Sequence, residues 1–95
     1  MPGLTVIRPA DATETLEAWR LAIQTTGPVA LILSRQKLPI LDRNHLASTD
    51  GLANGGYVLA DADSPPDIIL IASGSEVHTA LEARKRLVEK NIMAR

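Results

Sequence analysis

Cysteine is absent from these 95 residues, and with it any disulfide framework or thiolate metal site. Aromatic residues are scarce: one Trp, one Tyr and no Phe. The apolar 45% of the chain is therefore Leu, Ile, Val and Ala, the usual filling of helices packed on a parallel sheet. No excess of one charge sign exists either. Ten basic and eleven acidic residues leave a net charge of −1, so no nucleic-acid partner is expected. The chain has no signal-like apolar start and no run long enough to cross a bilayer. The expectation is a cytoplasmic protein with no membrane partner. This length holds one small domain or pieces of two.

What is present reads as alternating strands and helices. Leu4-Thr5-Val6-Ile7 is a β-branched run ended by Arg8-Pro9, because proline brings no amide hydrogen to a ladder. Asp11 is placed to cap a helix, with Glu14 three residues on at capping-box spacing. Leu16, Trp19 and Ile23, flanked by Ala18 and Ala22, recur at helical spacing. They predict one apolar face, with Trp19 as a core or interdomain anchor. Gly27 and Pro28 stop that helix. Val29 to Leu33 is a continuous apolar run, which predicts a strand covered on both faces. Strand, helix and strand with this crossover length predict a right-handed parallel βαβ unit.

From Gln36 to Pro66 no period is sustained. Gly51, Asn54, Gly55 and Gly56 are turn formers, Ser64-Pro65-Pro66 is a stiff punctuator, and Tyr57-Val58-Leu59 is the one strand-like run. The stretch reads as a connector running over a surface. Asp67 to Ala72 is another buried-strand run, and Ser73-Gly74-Ser75-Glu76 turns the chain into a second helix with Ser75 as its N-cap. Val77, Leu81, Arg84 and Val88 share one stripe of that helix, Asn91 is its C-cap, and Met93-Ala94-Arg95 starts another strand. The fold class is α/β: a parallel-sheet βαβ unit, a linker, then a strand and helix opening a second α/β domain. The expected boundaries are 1–36, 37–66 and 67–95. Parallel strands need partners and covered faces, so the chain reads as part of a longer polypeptide.

Arg35 leads the candidate site residues. It stands at the carboxyl end of a predicted strand, where open α/β sheets bind ligands, and its planar fork suits a phosphate or carboxylate. Ser34 beside it has no base at a recognisable spacing and reads as a structural hydroxyl. Ser73-Gly74-Ser75 opens a helix after a strand, where amides can hold phosphate, but it lacks the spacing of a phosphate loop and reads as capping. His45 and His78 have no second ligand at metal spacing. Asp61, Asp63 and Asp67 lack the glycine and closing glutamate of a calcium loop.

Taken together, the residues resemble transketolase. Pro2-Gly3-Leu4-Thr5-Val6-Ile7-Arg8-Pro9-Ala10-Asp11, with Glu14, Ala18 and Trp19, is similar to a stretch late in that family's pyrimidine-binding domain. Gly27 to Gln36, ending in Ser34-Arg35-Gln36, resembles the strand and turn that close the domain. Gly55-Gly56-Tyr57-Val58-Leu59 resembles the re-entry from the connector, and Ile71-Ala72-Ser73-Gly74-Ser75-Glu76-Val77 the opening of the C-terminal domain. Thr13 and Lys37 stand where the family commonly has Asn, and Ile40 to Ala53 shows no firm match. The resemblance implies an enzyme that moves a two-carbon ketol unit between sugar phosphates, using thiamine diphosphate and a divalent cation such as magnesium, as a homodimer. It implies that Arg35 holds the sugar phosphate. It carries no catalytic, cofactor-binding or metal-binding residue onto this chain, and His45 and His78 match none, so the chain alone is expected to bind no cofactor and to be inactive. The alternatives are another thiamine diphosphate enzyme, such as deoxyxylulose-phosphate synthase or a pyruvate dehydrogenase beta subunit, and a non-enzymatic truncated α/β segment.

Overall fold

The computed structural model describes residues Met1–Arg95. Its elements in chain order are β1 (Thr5–Ile7), α1 (Ala12–Gln24), β2 (Val29–Leu31), a 3₁₀ helix (Thr49–Asn54) and α2 (Glu76–Glu89). The strands pair in parallel, with Thr5 opposite Val29, Val6 opposite Ala30 and Ile7 opposite Leu31. The α/β expectation is met by this βαβ unit. β2 ends at Leu31, two residues earlier than the apolar run suggests. The same register sets Leu33 beside Pro9, which has no N–H for a ladder. Ile32 and Leu33 are each about half exposed, so the strand's end is not covered on both faces.

Asp11 caps α1 as expected, its Oδ1 accepting the Glu14 N–H at 2.9 Å. Glu14 reaches back one residue further than a capping box requires: its Oε2 accepts the Ala10 N–H at 2.7 Å. That bond fixes the helix's rotation and puts Glu14, Ala18 and Leu21 inward, where Glu14 and Ala18 are buried. The expected apolar face therefore turns the other way. Leu16, Trp19 and Ile23 are 72%, 53% and 80% exposed, and Trp19 is not a core residue. The helix stops at Thr25, whose N–H and hydroxyl both donate to the Leu21 carbonyl, at 3.0 and 2.7 Å. Gly27 is needed for room rather than for a left-handed turn, since a Cβ there would sit 3.3 Å from the Gly3 carbonyl oxygen.

The connector is more ordered than its composition suggests. Its 3₁₀ helix packs on α1 and closes on Gly55 at φ 85°, whose N–H donates to the Leu52 carbonyl. Tyr57-Val58-Leu59 forms no strand; the Tyr57 phenol reaches Glu14 on α1. In the second half, the expected strand Asp67–Ala72 amounts to one parallel bridge, Ile68 to Ala94, flanked by bonds from Leu70 N–H to the Arg95 carbonyl and back from Arg95 N–H to the Ile68 carbonyl. Beyond it Ile71 is 93% exposed. Ser75 makes no side-chain cap; its backbone is already helical, and Gly74 at φ 60° makes the turn. Asn91, at φ 62°, ends α2 as expected. Its N–H bonds the Val88 carbonyl and that of Ile92 bonds the Leu87 carbonyl, which together make a Schellman motif. The radius of gyration, 14.4 Å, exceeds the roughly 12 Å of a round domain of this length, because the two halves lie end to end.

Candidate functional site

Both strands of the parallel pair point their carboxyl ends at one region. Beyond β2 the chain bends through Ser34, Arg35 and Gln36; beyond β1 it turns through Pro9, Ala10 and Asp11 into α1. Between the two turns lies a hollow of about 220 Å³, with Ser34 and Gln36 on one wall and Ala10, Asp11 and Thr15 on the other. Arg35 stands on its rim, exposed, and lines neither this hollow nor the larger one described below. Its guanidinium makes no hydrogen bond or ion pair, as does that of no other arginine here: Arg8, Arg20, Arg43, Arg84, Arg86 and Arg95 are all engaged. An uncommitted guanidinium at such an edge can take a phosphate or carboxylate in two parallel bonds. Lys37, two residues on, is exposed as well and has no ion-pair partner.

The hollow's floor is held by a buried polar cluster that local sequence reasoning missed. Asp11 accepts the Leu41 N–H at 2.9 Å and both oxygens face Arg43 Nη2, at 3.2 and 3.3 Å. Arg43 Nη1 donates to the Ala47 carbonyl at 3.0 Å and to the Tyr57 hydroxyl at 2.9 Å, and the Tyr57 hydroxyl donates to Glu14 Oε1 at 2.5 Å. Burial, then the Glu14 carboxylate, pushes the Tyr57 phenol up to about 12, with Arg43 pulling the other way. Burial alone would lower the Arg43 guanidinium, but Tyr57 and Asp11 carry it above its ordinary value. Arg43 Nε is buried without a partner. The cluster clamps the connector to the start of α1. Its only sequence signal is the Asp11–Glu14 cap.

Of the other candidates, Ser73, His45, His78, Asp61 and Asp67 are structurally committed. Ser73 Oγ accepts from Arg8 Nη1 at 3.2 Å and the Gly74 N–H donates to the Arg8 carbonyl at 3.0 Å, so that turn is not free for phosphate. His45 Nδ1 lies 2.7 Å from Asp42 Oδ2, and this bond, with the Asn44 N–H, holds the Asp42 carboxyl below the usual range. His78 Nε2–H donates to the Ala10 carbonyl at 2.8 Å. Asp61 pairs with Arg95 at 2.6 Å, which lowers its carboxyl, and Asp67 accepts the Met93 N–H. No three His, Cys, Asp or Glu side chains come together to hold a metal ion.

Two family models match. Residues 1–40 match the transketolase pyrimidine-binding domain and residues 55–95 the transketolase-like C-terminal domain. Among curated relatives, the transketolase of Aquifex aeolicus is 47% identical over 96 aligned residues and that of Bacillus subtilis 48% over 94. Those alignments take in 100% and 97% of this chain, which spans 14% of either relative. The solved transketolase of Pichia stipitis in complex with sedoheptulose 7-phosphate superimposes with a TM-score of 0.85 at 41% identity, over 98% of this chain and 13% of that one.

Proposed function

This chain belongs to the transketolase family, and we propose that it serves as the sugar-phosphate-gripping segment of such an enzyme. In this reading, residues 1–36 close the pyrimidine-binding domain, 37–66 link and 67–95 open the C-terminal domain. The parent transfers a two-carbon ketol unit between sugar phosphates as a cytoplasmic homodimer, with thiamine diphosphate and a divalent cation. In the same reading the contacts to that cofactor belong to other parts of the parent, and this segment is inactive alone.

The observation that carries the reading is Arg35, exposed and unpaired at the carboxyl edge of a parallel sheet. Its work is positional. A charge-assisted bond is worth about 1.5–3 kcal/mol, and a phosphate lies remote from the reacting carbonyl, so the binding energy orients the sugar rather than moving protons.

The test exchanges this chain for the matching stretch of the Bacillus subtilis transketolase, which is 48% identical to it. The chimera should retain ketol transfer. Arg35→Ala should then raise KM about tenfold or more for a phosphorylated acceptor and leave an unphosphorylated one unchanged. Equal effects on both substrates would remove the phosphate role, and a folded chimera without ketol transfer would remove the family activity.

A further inference from the structure

The turn Arg8-Pro9-Ala10-Asp11 is the most heavily used stretch of this chain. Five of the seven buried residues, Pro9, Ala10, Asp11, Glu14 and Gly74, lie in it or against it. From the second half, the Gly74 N–H donates to the Arg8 carbonyl at 3.0 Å and His78 Nε2–H to the Ala10 carbonyl at 2.8 Å. In return, the Arg8 guanidinium reaches Ser73 Oγ and Glu76 Oε2, both at 3.2 Å. The connector grips the same turn through Arg43 and Asp11.

Apolar packing does not replace these bonds. Between β1 and the segment Ile69–Ser73 lies a hollow of about 860 Å³, so the two halves share no filled core. Halves joined over so little buried surface move relative to one another unless something directional holds them. The bonds at the turn are directional, and they come from both backbone and side chains on either side. Gly74 adds a steric element. It is buried at φ 60°, and a Cβ there would lie 3.3 Å from Arg8 Nη2, so only glycine seats the guanidinium without displacement.

We propose that this turn is a polar joint that sets the angle between the two halves, with Arg8 and His78 as its positioning residues. The joint abuts the hollow under the Arg35 rim, since Ala10 and Asp11 wall that hollow. It concerns the fold of the chain itself and stands whether or not Arg35 binds a phosphate.

The chain has no cysteine, so paired spin labels can be placed cleanly through Gln24→Cys on α1 and Lys85→Cys on α2, both exposed and unpaired. The full chain should give one narrow distance distribution. Arg8→Gln with His78→Leu should broaden it at least about twofold while helical circular dichroism stays unchanged, and His78→Gln, which keeps a donor, should restore much of the narrowness lost through His78→Leu. An unchanged distribution in the double variant, or one already broad in the parent chain, would overturn the joint. Should the double variant lose helix, the single Arg8→Gln is read by the same criteria, because that ion pair is exposed and its loss leaves the core intact.

Discussion

Raising the pH should leave the one tyrosine silent well after a free phenol has ionised. The Tyr57 hydroxyl donates to Glu14 Oε1 at 2.5 Å and accepts from Arg43 at 2.9 Å, in a half-buried cluster. Burial and the carboxylate hold the phenol's proton up to about 12 against an ordinary value near 10. At about pH 11 an ordinary phenol is roughly nine-tenths ionised, and this one roughly a tenth. The proton is bound more tightly in the folded than in the unfolded chain, so the stabilisation is complete below about pH 10 and is lost as the pH climbs towards about 12. Two units correspond to about 2.7 kcal/mol, and partial exposure of the ring reduces this to about 1–1.5 kcal/mol. Because the chain has a single tyrosine, tyrosinate absorbance titrates this group alone, and a rapid pH jump separates its ionisation from unfolding, which circular dichroism follows. Glu14→Gln removes the charge and should bring the midpoint down by about one unit. A midpoint near 10 in a chain that keeps its helices would refute both the burial and the Glu14 bond.

Other substitutions probe the same construction by urea unfolding. Gly51→Ala should destabilise by about 1–3 kcal/mol, since a Cβ at that position would overlap Tyr57 Cβ and Cγ. Asp11→Ala should cost about 3 kcal/mol, because it deletes the α1 cap and leaves the mostly buried Arg43 guanidinium uncompensated, whereas Asp11→Asn should keep the cap and lose less. Asn91→Gly should stabilise by about 0.5 kcal/mol, as φ 62° at the end of α2 suits glycine better. Leu16→Gln, on the outer face of α1, should change stability by less than about 0.5 kcal/mol; a larger loss would mean that this face is covered.

Local signals were readable and distant ones were not. The strand β1 ends at its proline, Asp11 caps α1, and Asn91 terminates α2, each by contacts within a few residues. The rotation of α1 was not readable, because the helix carries two opposed apolar stripes. Leu16, Trp19 and Ile23 are larger and dominate the pattern, while the smaller Ala18 packs inward behind Glu14. The polar cluster joins residues 32 and 43 positions apart, and the Arg8–Glu76 pair spans 68, distances at which single-sequence periodicity carries no information. Arg35 was legible as a position, from the strand that precedes it. Its freedom from any internal partner is a structural finding.

The division of labour between polar and apolar contacts follows from these same side chains. The wholly buried apolar residues are Ala10, Ala18 and Ala94, and no large side chain is fully buried. Covering a side chain such as Leu16, Ile23 or Ile71 yields about 1.5–3 kcal/mol, and here that gain is unrealised. The hydrogen bonds gathered at Arg8–Asp11 therefore carry an unusual share of the order, though each contributes only about 1 kcal/mol net. A helix apolar on two opposed faces, and strands with apolar side chains on both, are the pattern of elements sandwiched between layers. Uncovered, such faces favour association over a unique monomer, whereas a polar joint retains its directionality whatever covers them. The polar contacts specify how the elements meet; the apolar faces determine how much further surface they need before that arrangement is strongly stable.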